Sequence, residues 1–192
     1  MEAVVERAYG RNKIHPQKFA LWVACGGILM MFAAFTSAII VRQAAGNWLE
    51  FRLPDIFYYN TIVILLSSIS LHSSYLAFRR GNTSLYRGML ALTFVLGAAF
   101  IALQYQGWQK LTAIGIELTT NPSGSFIYVI SGVHAAHILG GLGALSLALL
   151  HAYLLPHKVT PARKLRFELT LTYWHFVDFL WLYLLFFFTM LY

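Results

Sequence analysis

Five runs of mostly apolar residues, each long enough to cross a lipid bilayer, constrain this sequence more than any other feature. A helix needs roughly 20 residues to cross the hydrocarbon core. Backbone polar groups in hydrocarbon must be paired within their own segment, so each run is predicted to be an α-helix. The predicted spans cover about residues 19–41, 56–78, 89–107, 126–153 and 168–191. The sequence therefore predicts an all-α integral membrane bundle of five transmembrane helices, with residues 1–18 as an N-terminal tail and 19–192 as the transmembrane domain.

The composition agrees with this class of protein. Of 192 residues, 59% are apolar and only 11% are charged, against roughly 25% charged residues in a soluble domain. Lys and Arg outnumber Asp and Glu by 14 to 7, a balance that in a soluble protein would suggest nucleic-acid binding. Here the basic residues lie in short segments between apolar runs, so membrane topology explains them. No nucleic-acid partner is predicted.

The distribution of basic residues predicts the orientation of the chain. Eleven of the 14 Lys and Arg residues fall in the N-terminal tail and in the second and fourth connections, and the other three are Arg42, Arg52 and Lys110. Under the positive-inside rule, the segments rich in Lys and Arg face the cytoplasm. The N-terminus is therefore predicted to be cytoplasmic and the C-terminus to lie outside, as an odd number of spans requires.

Ionisable side chains within the last two spans distinguish this bundle from a generic one. His134 and His137 are three residues apart, and Glu168, His175 and Asp178 are spaced by seven and three, so each set shares one helical face. An aspartate at mid-membrane costs at least about 2.5 kcal/mol, so these groups should face protein. We predict that the five residues form a buried polar network between two adjacent helices. Its role could be structural, or it could involve proton movement or contacts with lipid or a partner.

Histidines on membrane helices also raise the possibility of a metal site. The candidates in or beside the spans are His72, His134, His137, His151 and His175. A haem held by two histidines needs imidazoles that face each other across a bundle, whereas two of these share one helix and two lie near helix ends. No local pattern matches a three-histidine copper cluster. The sequence predicts no metal ligand and no catalytic residue in this chain, with a haem- or quinone-binding anchor and a small transporter as alternatives.

Small residues recur every four positions in the fourth span, at Gly132, Ala136, Gly140 and Ala144. Such a ridge lets another helix approach closely, which favours association where the hydrophobic effect between helices is absent. The sequence thus predicts a helix-packing face, whose neighbour could belong to this chain or to another.

Aromatic residues are expected in two environments. Those near predicted span ends, among them Trp108 and Trp174, fit the anchoring of a helix at the membrane interface. Trp181 and residues 186–188, a run of Phe, lie deeper in the last span. These are expected to face lipid or bound acyl chains.

From about residue 19 to the C-terminus, the sequence resembles subunit III of the haem-copper respiratory oxidases, most closely the cytochrome c oxidase branch. Four motifs carry the resemblance: FELTLTYWHFVDFLWLYL (167–184), SGVHAAHILGG (131–141), NPSGSFIY (121–128) and NTIVILLSS (60–68). Glu168, His175 and Asp178 match the characteristic Glu, His and Asp of the family's last helix. His134 and His137 match the paired histidines of the preceding helix.

The resemblance implies a subunit without haem or copper of its own. It implies partners, namely the catalytic subunit I and other oxidase subunits, which hold the haem and copper, reduce oxygen to water and pump protons. It also implies phospholipids in a cleft facing that partner, which support oxygen access and proton uptake, and a location in the bacterial plasma (inner) membrane. A quinol oxidase subunit III is the alternative, and it differs in the electron donor of the complex.

The sequence departs from the family pattern in two ways. Many members have seven spans, whereas five spans match the shorter bacterial type, in which the first two are missing or attached to the catalytic subunit. The family's first helix typically carries a buried glutamate, where this chain has Gly27 beside Gly26 and Cys25. Any role of that carboxylate is therefore expected to be absent.

Overall fold

The computed structural model of the chain describes residues 15–119, 121–155 and 159–192. Each of its five helices is long and apolar enough to cross a membrane, and no strand occurs in these three stretches. The helices are α1 Pro16–Ala44, α2 Ile56–Arg79, α3 Thr83–Ala113, α4 Pro122–Leu154 and α5 Pro161–Leu191. The predicted all-α bundle of five spans is therefore confirmed. Residues 1–14 of the predicted tail lie outside the described residues, and the orientation stays a prediction.

The helices extend beyond the apolar runs because polar residues cap their ends. The Asn82 side chain accepts a hydrogen bond from the Leu85 N–H at 3.1 Å and begins α3. Asn121 does the same for the Ser123 N–H at 2.9 Å, and Thr160 begins α5 in a similar way. These caps satisfy donors that the first helical turn leaves unpaired. Hydropathy marks the hydrocarbon-spanning part of a helix, whereas caps mark its ends.

Four of the helices close into a ring, and the first lies outside it. Helix α2 packs on α3, α3 on α4, α4 on α5, and α5 returns to α2, while α1 packs only on α4 and α5. We call the end where α1, α3 and α5 begin the N side, and the opposite end the C side. Helix α1 buries the smallest share of its apolar stretch, 17%. It therefore leaves the largest share of its apolar stretch available to lipid or to a partner.

Trp174 of α5 fills the centre of the ring. Its side chain is fully buried, and a Cβ added to Gly97 of α3 or Gly141 of α4 would lie 2.8 or 2.9 Å from its ring. Its indole N–H donates a hydrogen bond of 3.0 Å to the Ser67 hydroxyl of α2. One side chain thus contacts the other three helices of the ring. The expectation that Trp174 anchors the chain at the membrane interface is wrong, because the indole points inward.

The small-residue face of α4 is only partly covered by this chain. A Cβ added to Gly132 or Gly140 would meet side chains at 3.9 and 3.8 Å, which is ordinary contact, and Ala136 is exposed. Ala144 lines a cavity at the N side. Helix α5 instead approaches α4 closely at Gly141, where an added Cβ would lie 2.9 Å from the Trp174 ring. The predicted face therefore remains a candidate contact for another subunit.

Candidate functional site

His134 lies in a fully buried aromatic cage between α4, α5, α1 and α3. Its ring stacks on Trp181 with centroids 5.1 Å apart, and it meets Phe32 and Phe100 edge to face at 6.3 and 5.9 Å. Neither imidazole nitrogen has a hydrogen-bond partner within the described parts of the chain. The imidazole therefore contributes to this chain's packing as an aromatic ring.

His137 lies one turn further along α4, at the edge of the same cage. Its ring meets Phe32 of α1 at 5.7 Å, and its Nδ1–H donates a hydrogen bond of 2.7 Å to the Val133 carbonyl. The His137 carbonyl accepts a hydrogen bond of 3.0 Å from the Tyr173 hydroxyl of α5. His137 therefore helps to join α1 and α5 to α4.

Glu168 joins three helices near the N side. Its Oε2 lies 2.6 Å from Lys18 Nζ of α1, and its Oε1 accepts a hydrogen bond of 2.7 Å from the Tyr75 hydroxyl of α2. A second cation, Lys164, lies 3.8 Å from the same carboxylate on α5. The carboxylate is thus paired in charge and in hydrogen bonds. These contacts attach α1 to α2 and α5 of the ring at the N side of the bundle.

His175 lies half-buried where α5 packs on α2. Its Nδ1 is hydrogen-bonded to the Ser68 hydroxyl of α2, and its ring centroid lies 5.9 Å from that of His72. The His72 side chain is exposed at the perimeter of the bundle. The two imidazoles and the serine therefore lead from the perimeter into the contact between α2 and α5.

Asp178 lies one turn beyond His175 and is only 3% exposed. Neither carboxylate oxygen meets hydrogen-bond geometry with a partner in the stretches that the structure describes. His175, one turn before it on α5, is bonded to Ser68 of α2. A buried carboxyl without a partner is costly if it is charged. The contacts within the described chain therefore do not explain why a carboxyl group is buried at Asp178.

The structure divides the five predicted residues into three groups. His134 and His137 share the aromatic cage, Glu168 lies in the ion-pair cluster at the N side, and His175 and Asp178 lie one turn apart on α5 where it packs on α2. None of the contacts given above joins the α4 histidines directly to the three residues of α5. A network that spans all five residues therefore stays a prediction.

Sequence reasoning missed the partners that α2 provides. Ser68 and Tyr75 are seven residues apart and share one helical face, so the spacing of polar residues on α2 was the signal that could have found them. Trp181 was wrongly expected to face lipid. Its side chain is fully buried, and its indole N–H donates a hydrogen bond of 2.9 Å to Thr61 of α2.

The run of phenylalanines at residues 186–188 also divides between environments. Phe186 is exposed, as expected for contact with lipid, whereas Phe188 is fully buried. Successive residues of a helix point about 100° apart, so three consecutive residues cannot share one environment. The expectation is therefore wrong for Phe188, whereas for Phe186 contact with lipid stays a prediction with which its exposure agrees.

Gly27 lies at the perimeter of the described bundle. A Cβ added to Gly27 or to the neighbouring Gly26 would meet no atom within 4 Å. The first atom of a side chain at this position would therefore not contact the rest of the described chain. The position offers space for a close neighbour from outside.

No group of three or more His, Cys, Asp or Glu side chains is arranged to hold a metal ion in residues 15–119, 121–155 and 159–192. The polar residues described above contact their neighbours across helix boundaries instead. Five long apolar helices with such an interior define a multi-pass helical membrane protein.

Comparison with known proteins identifies the family. The model of the family "Cytochrome c oxidase subunit III" matches residues 27–192. The chain therefore belongs to the cytochrome c oxidase subunit III family, and is a subunit III of a haem-copper oxidase complex. The resemblance inferred from the four motifs is confirmed.

Individual relatives agree with this assignment. The chain is 28% identical to a probable cytochrome c oxidase subunit 3 of Nocardia farcinica, over 94% of this chain and 90% of the relative. It is 33% identical to cytochrome c oxidase subunit 3 of Corynebacterium diphtheriae, over 80% and 78% of the two chains. It is 30% identical to the cytochrome bo(3) ubiquinol oxidase subunit 3 of Pseudomonas putida, over 85% and 79%.

Proposed function

We propose that this chain is a non-catalytic subunit, without haem or copper of its own, that stabilises the catalytic subunit I of a cytochrome c oxidase in the bacterial plasma membrane. It also holds phospholipids that support oxygen access and proton uptake during aerobic electron transport. The haem and copper belong to the partner subunits. The observation that carries the proposal is that the polar interior joins the helices to one another, as a rigid brace requires.

Three tryptophans support the rigidity of this brace. Each indole N–H donates a hydrogen bond to a hydroxyl group on a neighbouring helix, at 2.9 to 3.0 Å. The pairs are Trp108 with Ser131, Trp174 with Ser67, and Trp181 with Thr61. A Trp N–H buried in hydrocarbon needs such a partner, so each pair fixes both the separation and the register of two helices. A fixed surface is what a partner subunit can bind without ordering it first.

The surface we assign to the partner combines α1 with the small residues of α4. Gly26 and Gly27 have no atom of the described chain near their Cβ positions, and Ala136 and Gly140 are exposed on α4. Small residues at a helix surface let the backbone of another helix approach closely. The two helices pack on each other.

Replacement of His175 by leucine tests the brace. The change removes the hydrogen bond to Ser68, and a lost hydrogen bond costs about 1 kcal/mol. We expect the amount of catalytic subunit that co-purifies with this chain in mild detergent to fall about fivefold. Asp178→Leu should act in the same direction, because this buried residue lies one turn away where α5 packs on α2. Both complexes should keep every haem absorption band.

A matched control for this experiment is Phe179→Leu, on the same helix and 68% exposed. It should leave co-purification unchanged. Loss of a haem band in either variant would contradict the assignment of all redox centres to the partners. Full retention of the catalytic subunit by His175→Leu would show that this contact does not brace the complex.

A cavity of about 430 Å³ supports the lipid part of the proposal. It opens at the N side between α4 and α5, and its walls include Ala144, Leu147, Ala148 and Leu169. The basic side chains at this end of the cavity are those of His151, Arg163 and Arg166. Apolar walls with basic residues beside them fit an acyl chain attached to an anionic headgroup.

Replacement of Arg166 by glutamine tests this lipid site. One basic side chain near a membrane surface contributes about 1 kcal/mol to the binding of anionic lipid. We expect the occupancy of tightly bound anionic phospholipid, counted by native mass spectrometry of the complex, to fall about fivefold. Arg80→Gln, an exposed residue at the same end of the bundle but outside this cavity, is the control. Equal occupancy in wild type and Arg166→Gln would rule out the site.

The similarity to the Pseudomonas putida protein named as a ubiquinol oxidase subunit 3 favours a second candidate, a quinol oxidase subunit III. The two candidates differ in the electron donor of the whole complex. Oxygen consumption by the purified complex with reduced cytochrome c, and separately with a quinol, distinguishes them. We expect activity with cytochrome c, and activity with quinol alone would select the alternative.

A further inference from the structure

An open cavity at the N side reaches an acidic residue. It has a volume of about 610 Å³ and lies between the beginnings of α1 and α5. Four of its nine lining residues are basic, namely His15, Lys18, Lys164 and Arg166, and Glu168 is the acid among them. We call this cavity the vestibule. The Glu168 carboxylate is therefore accessible from the end of the bundle.

Polar groups continue from Glu168 along the contact between α2 and α5. Tyr75, His72 and Ser68 follow one another at intervals of three and four residues, so they lie on one face of α2. Tyr75 donates its hydroxyl to Glu168 at 2.7 Å. Tyr75 and His72 are one helical turn apart, and no hydrogen bond between described residues links them.

We call this series of polar groups the file. Its deeper part consists of His72, His175 and Ser68. The ring centroids of His72 and His175 are 5.9 Å apart, and the Ser68 hydroxyl is hydrogen-bonded to His175 Nδ1. Asp178 lies three residues beyond His175 on the same face of α5, one turn from the bond between His175 and Ser68. Asp178 lies ten residues beyond Glu168 on α5, which is about 15 Å at the rise of an α-helix. The file therefore leads from the vestibule towards the middle of the bundle.

The surroundings of Asp178 favour a bound proton. The side chain is 3% exposed and makes no ion pair or hydrogen bond with the described residues. The titratable groups around this part of the bundle are His175 on α5, His72 of α2, whose ring lies against His175, and His134 of α4, whose ring stacks on Trp181. A carboxylate in such a place costs several kcal/mol, a cost that protonation removes.

We propose that Asp178 is a proton-binding site, loaded from the vestibule through Glu168, Tyr75, His72, His175 and Ser68. A proton that binds His175 Nε2 is matched by the release of the Nδ1 proton to Ser68 Oγ. The Ser68 hydroxyl proton then passes to an Asp178 oxygen. Each transfer breaks one N–H or O–H bond and forms one, and the last neutralises the carboxylate. A brace alone has no need of this proton, so the inference goes beyond the proposed function.

Infrared difference spectroscopy of the assembled oxidase, with aspartate labelled at the side-chain carboxyl carbon by ¹³C, tests the proposal. We expect a C=O band of a protonated carboxyl in the wild type at neutral pH that is absent from Asp178→Asn. The band should shift when the sample is transferred to D2O. Because positioned proton carriers accelerate transfer by a factor on the order of 10² or more, Ser68→Ala and His175→Gln should slow the shift by about that factor.

Ser73→Ala is the matched control, since within the described residues the Ser73 hydroxyl bonds the Ile69 carbonyl of its own helix and no group of the path. It should leave the exchange rate unchanged. The proposal is overturned if Asp178→Asn loses no band, or if Ser68→Ala and His175→Gln exchange as fast as Ser73→Ala. If Asp178→Asn does not assemble, comparison of the wild type with Ser68→Ala and Ser73→Ala still decides whether the path is used. Co-purification of the catalytic subunit, measured on each variant, reports separately on the brace.

Discussion

Replacement of Trp174 by alanine is expected to lower the free energy of unfolding of this chain by about 3–5 kcal/mol, the range for removing a fully buried Trp or Phe side chain. The indole fills the space between Gly97 and Gly141 and bonds Ser67, so its loss leaves a cavity bordered by α2, α3 and α4. Unfolding of the purified complex in mild detergent, titrated with a denaturing detergent, measures the change.

The control for Trp174 is Trp22→Ala on α1, where the side chain is 55% exposed. This substitution removes the same atoms from the perimeter, where lipid or detergent fills the space. It should therefore change the stability of the bundle by much less. Equal losses from the two substitutions would mean that the centre of the ring is not held by Trp174.

The second large effect is expected from Gly141→Val. A Cβ at this position would lie 2.9 Å from the Trp174 ring, closer than side-chain atoms ordinarily approach. The indole is enclosed on several sides and cannot move away freely, so overpacking should cost about 1–3 kcal/mol. The midpoint of thermal unfolding of the complex should fall accordingly.

Gly143→Val is a closely matched control for this substitution. It lies two residues away on the same helix, and a Cβ there would meet no atom within 4 Å. Any change in helix propensity is the same for the two variants, so the difference between them isolates the clash with Trp174. If both variants unfold at the same temperature, α4 does not contact α5 closely at Gly141.

The membrane spans could be predicted from the sequence because each span is a local property. Whether a run of 20 residues is soluble in hydrocarbon depends on its own side chains, and the hydrogen bonds of a helix lie within the run. The predicted spans therefore fall within the five helices. Their ends could not be placed so well, because a cap such as Asn82 or Thr160 lies outside the apolar run.

The sequence predicted which polar residues lie within the bundle, but it did not predict which residues they contact. The spacing of His134 and His137, or of His175 and Asp178, correctly places each pair on one face of a helix. It contains no information about which helix faces that pair. Ser68 became the partner of His175 only because α5 packs on α2 at this level. His134 packs against aromatic rings instead of making a hydrogen bond with a described residue.

The tryptophans also show that the sequence does not determine which helix a side chain will face. Trp174 and Trp181 read as membrane-facing residues, since an isolated helix can expose an indole to lipid or to the interface. Both are fully buried. Their N–H groups found hydroxyl acceptors at Ser67 and Thr61, which lie on a helix more than 100 residues earlier in the chain.

By itself, the sequence determined the class of protein, the number of spans and, through its motifs, the family. These follow from the free energy of transferring each segment from water to hydrocarbon and from residues read in order. Only the tertiary structure decided which polar groups are paired, which glycine admits a neighbour and which carboxyl is left alone. The reason is that helices within a membrane associate through packing and a few hydrogen bonds, and both depend on the rotation and depth of every helix relative to the others.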